Sequence, residues 1–233
     1  ISGDGGDELL GGYLRVQKSL ANKNNKVNLS NFYKYYPPFF GTGNIFLSSH
    51  HDLSTRYNSY LSDKKLLELL KIPTDKVVSN RFDEIIDADD YKNLMYFEYS
   101  FFLPKLMMYK IDRASMFNSI EVRSPFVDNK LIEYIFSHSN EYYNKGEQKQ
   151  ILKNYISKDF DKNFKDRKKQ GFVFNLEEFV YNNSEFFFEA IVDSSNMPFI
   201  DNENVEKLFK FKTRINSNRI WKIFVLNSFL DQT

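Results

Sequence analysis

Residues 2–8, Ser2-Gly3-Asp4-Gly5-Gly6-Asp7-Glu8, crowd three glycines and three carboxylates into one short loop. The glycines open backbone conformations closed to other residues and let main chain approach a ligand closely. Backbone N–H groups in such a turn, just ahead of a helix, suit an anion. The three carboxylates would repel a bare phosphate. Mg²⁺ bridging carboxylate and phosphate oxygens removes that conflict, so the loop reads as the edge of a magnesium-nucleotide or magnesium-pyrophosphate site. A plain turn in which Asp7 caps a helix accounts for the same residues, and for a Gly-rich loop taken alone it is the stronger reading. An EF-hand is excluded, because its twelve-residue ligand pattern ending in Glu is missing.

Two further segments carry charge at suggestive places. Asp112-Arg113-Ala114-Ser115-Met116 runs on through Ser119-Ile120-Glu121-Val122-Arg123-Ser124-Pro125-Phe126 to Asp128. Met116 and Ile120 are expected in the core. Glu121 either orients a catalytic group or the acceptor, or joins Arg123, Asp112 and Arg113 in a structural ion network. Arg123 in the functional reading grips a carboxylate or a neighbouring loop through two hydrogen bonds. In Arg167-Lys168-Lys169-Gln170-Gly171-Phe172 the default reading is a solvated basic surface. Gly171 also permits a loop that brings one lysine over a leaving pyrophosphate, where it would stabilise charge developing in the transition state.

The elements that must position these segments are mostly helical. Asp7 through Tyr13 reads as an N-capped turn ended by glycine. The stretch 23–60 reads as loops with short helices, punctuated by Pro37-Pro38 and Gly41-Thr42-Gly43. A short helix carries Leu66, Leu67, Leu69 and Leu70 and stops before Pro73. Leu94, Phe97, Phe101 and Phe102 lie at helical spacing over Asp90–Leu103. Pro104 then fits the first turn of a second helix, where its missing N–H costs little. Further helices are expected over Asn129–Ser137, Glu147–Ile156, Leu176–Tyr181, Glu185–Val192, Asn204–Lys210 and Arg214–Phe229, with Trp221 in the core. Strand signals are few, and neither a repeat nor a Gly/Ser/Pro linker is evident. The expectation is one mainly α domain spanning 1–233.

Composition removes several functional classes. Apolar residues at 42% and aromatics at 17% favour a packed core over disorder. Lys and Arg (32) nearly balance Asp and Glu (31), which argues against nucleic acid or a membrane surface as partner. With no cysteine there is no disulfide framework, thiolate metal site or cysteine nucleophile, compatible with the cytoplasm. His50, His51 and His138 lack the spacing of a zinc pair and read as structural or exposed. The chain opens on Ile1, an apolar residue directly before the Gly-rich turn, as if cut at the end of a buried strand. A fragment is expected.

Taken together, the three segments and Arg219-Ile220-Trp221-Lys222 resemble, in order and spacing, the C-terminal part of the synthetase domain of glutamine-dependent asparagine synthetases of the B type. The resemblance runs nearly end to end, with little carried by 14–90. It implies the helical portion of an α/β, adenine-nucleotide-hydrolase-like ATP pyrophosphatase domain. It implies an amidotransferase that adenylates aspartate with ATP and aminates it with ammonia from glutamine. By match to the motif, Ser2, Gly3 and Gly5 contact ATP and Asp7 is a Mg²⁺ ligand. Asp4 stands where many relatives carry Glu, Glu121 lies near the acceptor, and Lys169 stabilises the adenylation transition state. An N-terminal glutaminase domain, a homodimer and an inactive isolated fragment are also implied. The competing expectations are an amidotransferase acting on a sugar acid or peptide, and a catalytically inactive helical scaffold.

Overall fold

A computed structural model describes residues 1–21, 27–71, 89–138, 148–161, 164, 174–193, 197 and 201–231. The basic run 167–172, Lys169 included, lies outside them. Helix takes 70% of the described residues and no strand occurs among them, so the fold is mainly α. No described helix is long and apolar enough to cross a membrane. The chain divides into two compact units. One joins Ile1–Asn25 to Asn80–Lys169, the other Lys26–Ser79 to Gln170–Thr233.

In the first unit a helical rod runs from Asp90 to Met116 without a break. Its middle, Glu98–Met108, is a π-helix with Pro104 inside it. The expected boundary at Pro104 is therefore absent. Proline has no N–H to donate and its ring presses on the preceding turn. A widened turn accommodates both defects, and the rod continues. Leu103, just before the proline, is buried at the centre of the segment. Below the rod, Leu9 and Leu10 pack with Ile132 and Ile135 of the helix Asn129–Ser137, joined by Tyr99 and Phe136. That helix begins where Asp128 accepts hydrogen bonds from the N–H groups of Lys130 and Leu131, the expected N-cap arrangement.

The expected core positions of Met116 and Ile120 are corrected. Both are more than half exposed, and Phe117 between them is 90% exposed. Periodicity puts apolar residues on one helical face, but it cannot supply the surface that covers them.

The second unit is built around the long helix Arg214–Leu230. Ile220 and Ile223 from this helix meet Val180, Phe187, Val205 and Leu208 in a continuous apolar core. Trp221 packs against it, edge-on to Phe187 and Phe179. Side-chain caps start the surrounding helices. Asp52 accepts from Thr55 N–H, Asp63 from Leu66 N–H, Asn175 from Glu178 N–H and Asp201 from Glu203 N–H. Each such cap is worth about 1 kcal/mol. The 23–60 stretch contains short 3₁₀ turns at Ser30–Tyr35 and Pro38–Phe40, as expected of punctuated loops, and also a full helix at Leu53–Leu61.

Polar groups pin the long helix from inside. Asn216 donates to the carbonyls of Phe39 and Phe211, and Asn227 donates to that of Ala190. The fully buried Arg219 binds both carboxylate oxygens of Asp63, at 2.7 and 2.9 Å, and also the carbonyls of Pro38 and Gly41.

Candidate active site

The Gly-rich loop is clamped to the second charged segment at two points. Ser2 N–H donates to the Arg123 carbonyl at 2.9 Å, and the Ser124 hydroxyl donates to the Asp4 carbonyl. The structure thus brings together two segments that the sequence holds far apart. Gly5 has a φ of +86° and caps the helix Gly6–Leu9. Asp7 therefore lies inside the first turn of that helix, which corrects its expected place as the cap. The left-handed backbone that starts the turn is one a Cβ would strain.

The three glycines do different things. A Cβ on Gly5 would sit 3.2 Å from Phe126 and Val127, and one on Gly6 would sit 3.3 Å from the Phe126 ring. Close approach at these two positions serves packing against the turn Pro125–Val127. A Cβ on Gly3 would meet no atom of a described residue within 4 Å. Among the loop's glycines, Gly3 is the one whose main chain is open with respect to the described residues.

Asp7 pairs with Lys149, whose Nζ lies 2.9 Å from Oδ1. Three features deliver that lysine. Its own φ is +54°, unusual for a residue with a Cβ. Its N–H donates to the Leu10 carbonyl at 3.1 Å. Gly12 leaves room, since a Cβ there would sit 1.9 Å from Asp7 Oδ1 and 2.5 Å from Lys149 Cε. Gly12→Ala is accordingly expected to break the Asp7–Lys149 pair and lower stability by about 1–3 kcal/mol through overpacking. Thermal unfolding, with Lys149→Met for comparison, checks this.

Glu121 lies outside that pair. It is exposed and accepts a hydrogen bond from Arg123 Nε at 2.7 Å. That hydrogen bond, reinforced by the guanidinium charge, holds the Glu121 carboxyl below the usual range. Arg113 lies over the Tyr109 ring at 5.1 Å. The pairing of Glu121 with Arg123 was one of the alternatives open in the sequence. Asp4 is half-buried and Ser2 likewise.

Beneath the loop lies a polar cluster that sequence reasoning missed. Glu8 and Glu98 are almost fully buried. Tyr13 Oη donates to Glu8 Oε1 at 2.6 Å. Arg15 binds Glu98 through two hydrogen bonds, at 2.7 and 2.6 Å. Its guanidinium is sandwiched between the rings of Tyr13 (3.7 Å) and Phe102 (4.1 Å). Burial pushes the Glu8 carboxyl up, against the lowering effect of the Tyr13 hydrogen bond. Burial also raises the Tyr13 phenol, and the bond to Glu8 adds to this.

A carboxyl raised in the folded state holds its proton there when the unfolded chain has lost it, so stability falls as pH rises above about 4.5. Glu8→Gln keeps the shape and the acceptor for Tyr13 but removes the titration. Its urea midpoint should therefore rise relative to the parent as pH increases above about 4.5. A parallel pH dependence for the two proteins contradicts this.

Of the loop's carboxylates, Asp7 is the one expected to hold a metal. Among the described residues no three His, Asp or Glu side chains gather into a ligand cluster. A single carboxylate in the first turn of the helix Gly6–Leu9 would suit magnesium carried in by phosphate oxygens, because Mg²⁺ is commonly held through one or two carboxylates plus substrate phosphates.

The asparagine synthase family model aligns with residues 1–231. The chain belongs to the asparagine synthase family. No curated protein matches the chain, and no solved structure does. Family membership makes this a ligase-type synthetase of the amidotransferase kind. The mainly α fold of the described residues is consistent with that family. Within that family the Gly-rich loop, its clamp to Ser124 and the Asp7–Lys149 pair form the candidate active site.

Proposed function

We propose that the chain is the C-terminal part of the synthetase domain of a glutamine-dependent asparagine synthetase of the B type. The enzyme adenylates the aspartate side-chain carboxylate with ATP. A carboxylate oxygen attacks the α-phosphorus, and pyrophosphate leaves. Ammonia, released from glutamine by an N-terminal glutaminase domain, then attacks the acyl-adenylate carbon and expels AMP. The enzyme works in the cytoplasm as a homodimer. The isolated chain is inactive.

The observation that supports this reading is the loop geometry. Gly3 leaves main chain open, with respect to the described residues, beside a rigidly clamped turn, and Asp7 is held in place next to it. Ser2, Gly3 and Gly5 contact ATP. Asp7 binds Mg²⁺, which when bound offsets phosphate charge. The Ser124 bond fixes the Asp4 main chain, so its carboxylate works from a fixed base during formation or amination of the acyl-adenylate. Glu121 lies next to the acceptor, and its pairing with Arg123 keeps it ionised. Lys169 supplies positive charge to the leaving pyrophosphate.

The test compares the full-length protein with the isolated chain, given ATP, aspartate and ammonium. The full-length protein should yield AMP, pyrophosphate and asparagine in equal amounts, and the isolated chain none. AMP formation by the isolated chain, or formation by the full-length protein without dependence on aspartate, contradicts the proposal.

A further inference from the structure

The polar cluster beneath the Gly-rich loop has no part in the proposed chemistry, yet it is built onto the residue next to Asp7. Asp7 and Glu8 are neighbours in the helix Gly6–Leu9. Successive helical residues point about 100° apart, so whatever holds Glu8 also sets the direction of Asp7. A single turn of helix is not stable by itself and must be held from outside. The main chain contributes Leu9 N–H to the Gly5 carbonyl and Gly12 N–H to the Asp7 carbonyl, both at 2.8 Å. Side chains contribute the rest. Leu9 is buried in the core, and the buried Glu8 accepts the Tyr13 hydroxyl at 2.6 Å.

Tyr13 is itself held in place. Its ring stands edge-on to Phe102, with centroids 5.5 Å apart, and covers one side of the Arg15 guanidinium. Arg15 in turn is fixed by two hydrogen bonds to Glu98, whose side chain has no exposed surface. Glu98 and Phe102 both belong to the π segment of the rod. A line of contacts therefore runs from the rod through Arg15 and Tyr13 to Glu8, and ends one residue from Asp7. The ring of Tyr13 could stack without its hydroxyl. The hydroxyl is what joins the stack to Glu8.

We infer that Tyr13 and Glu8 are positioning residues for Asp7. Their hydrogen bond ties the short helix to the rod and so fixes where the Asp7 carboxylate meets the magnesium of Mg·ATP. The inference rests on the Mg·ATP reading of the loop proposed above. Glu8 is too deeply buried to touch a nucleotide, so the pair acts through Asp7. Binding groups must be held close to their productive geometry by the packing and hydrogen bonds behind them, and this pair is that support.

Pyrophosphate release by the full-length protein tests this, with ATP varied at a constant excess of magnesium and with aspartate and ammonium present. Tyr13→Phe keeps the ring and loses the bond. Its KM for Mg·ATP should rise about tenfold, within the range that a small misplacement of a binding group costs. A merely structural role would lower the share of folded enzyme, which reduces kcat and leaves KM as it was. Glu8→Gln still offers an acceptor to the hydroxyl, so its KM should lie closer to the parent than to Tyr13→Phe. Tyr13→Phe strands a buried carboxylate. The double variant Glu8→Gln/Tyr13→Phe removes that charge, keeps its fold by circular dichroism and still lacks the bond, so its KM should match that of Tyr13→Phe. A parental KM in the folded double variant overturns the inference and leaves the Mg·ATP reading intact. A parent that releases no pyrophosphate in response to Mg·ATP overturns that reading, and the inference falls with it.

Discussion

Arg219→Met should lower the stability of the chain by about 3–5 kcal/mol, the usual cost of breaking a buried ion pair from one side. The guanidinium is fully buried, and Asp63 opposite is 9% exposed. Removing the cation leaves a carboxylate that water reaches poorly. It also strips donors from the Pro38 and Gly41 carbonyls and from Asn216 Oδ1. A methionine fills much of the volume but donates to none of them. Urea unfolding followed by circular dichroism reads the loss. The double variant Asp63→Asn/Arg219→Met should recover part of it, because the uncompensated charge is gone and Asn still caps the helix at Lys64. A single variant within about 1 kcal/mol of the parent would place Arg219 in the class of exposed pairs, against its burial.

Arg15→Met should cost a similar amount, about 3–5 kcal/mol, on the same principle. Its partner Glu98 has no exposed side-chain surface and receives two hydrogen bonds from Arg15. The guanidinium also fills the gap between Tyr13 and Phe102, so cation–π attraction is lost along with charge. Arg15→Lys restores the charge but not the planar fork. It should therefore recover only part of the stability. Equal stability of the lysine variant and the parent would show that charge alone matters here.

Helices were readable where a cap and a period agreed. Asn129–Ser137 was delimited in full, because Asp128 stands at the N-cap and Ile132 and Ile135 lie three apart. Arg214–Leu230 came within one residue for the same reason, with Thr213 as its cap. Pro104 misled because a local rule about lost donors cannot foresee that a widened π turn absorbs the loss. Met116 and Ile120 misled because periodicity identifies a face and not its cover.

Two of the three charged segments meet in the structure, the third lying outside the described residues, and the sequence did not show how the two assemble. The clamp between Ser124 and the Asp4 carbonyl uses a hydroxyl and a main-chain oxygen, groups that carry no signal in sequence. Lys149 sits at an ordinary helix start, and only its left-handed backbone and the space above Gly12 reveal why it reaches Asp7. Asp7 and Glu8 are adjacent carboxylates of like chemistry. Folding turns one toward Lys149 and buries the other beside Tyr13.

The proposed reaction requires the Ser2–Glu8 loop to form part of a magnesium-nucleotide site through Asp7. Thermal unfolding of the full-length protein with and without Mg·ATP, in the parent and in Asp7→Asn, tests it most directly. A ligand that binds only the native state adds about 2.7 kcal/mol at one hundred times its Kd. The parent should therefore unfold at a higher temperature as Mg·ATP is raised, and Asp7→Asn should lose most of that rise. A parent with no shift at millimolar Mg·ATP, or an Asp7→Asn variant with the same shift as the parent, would contradict the claim.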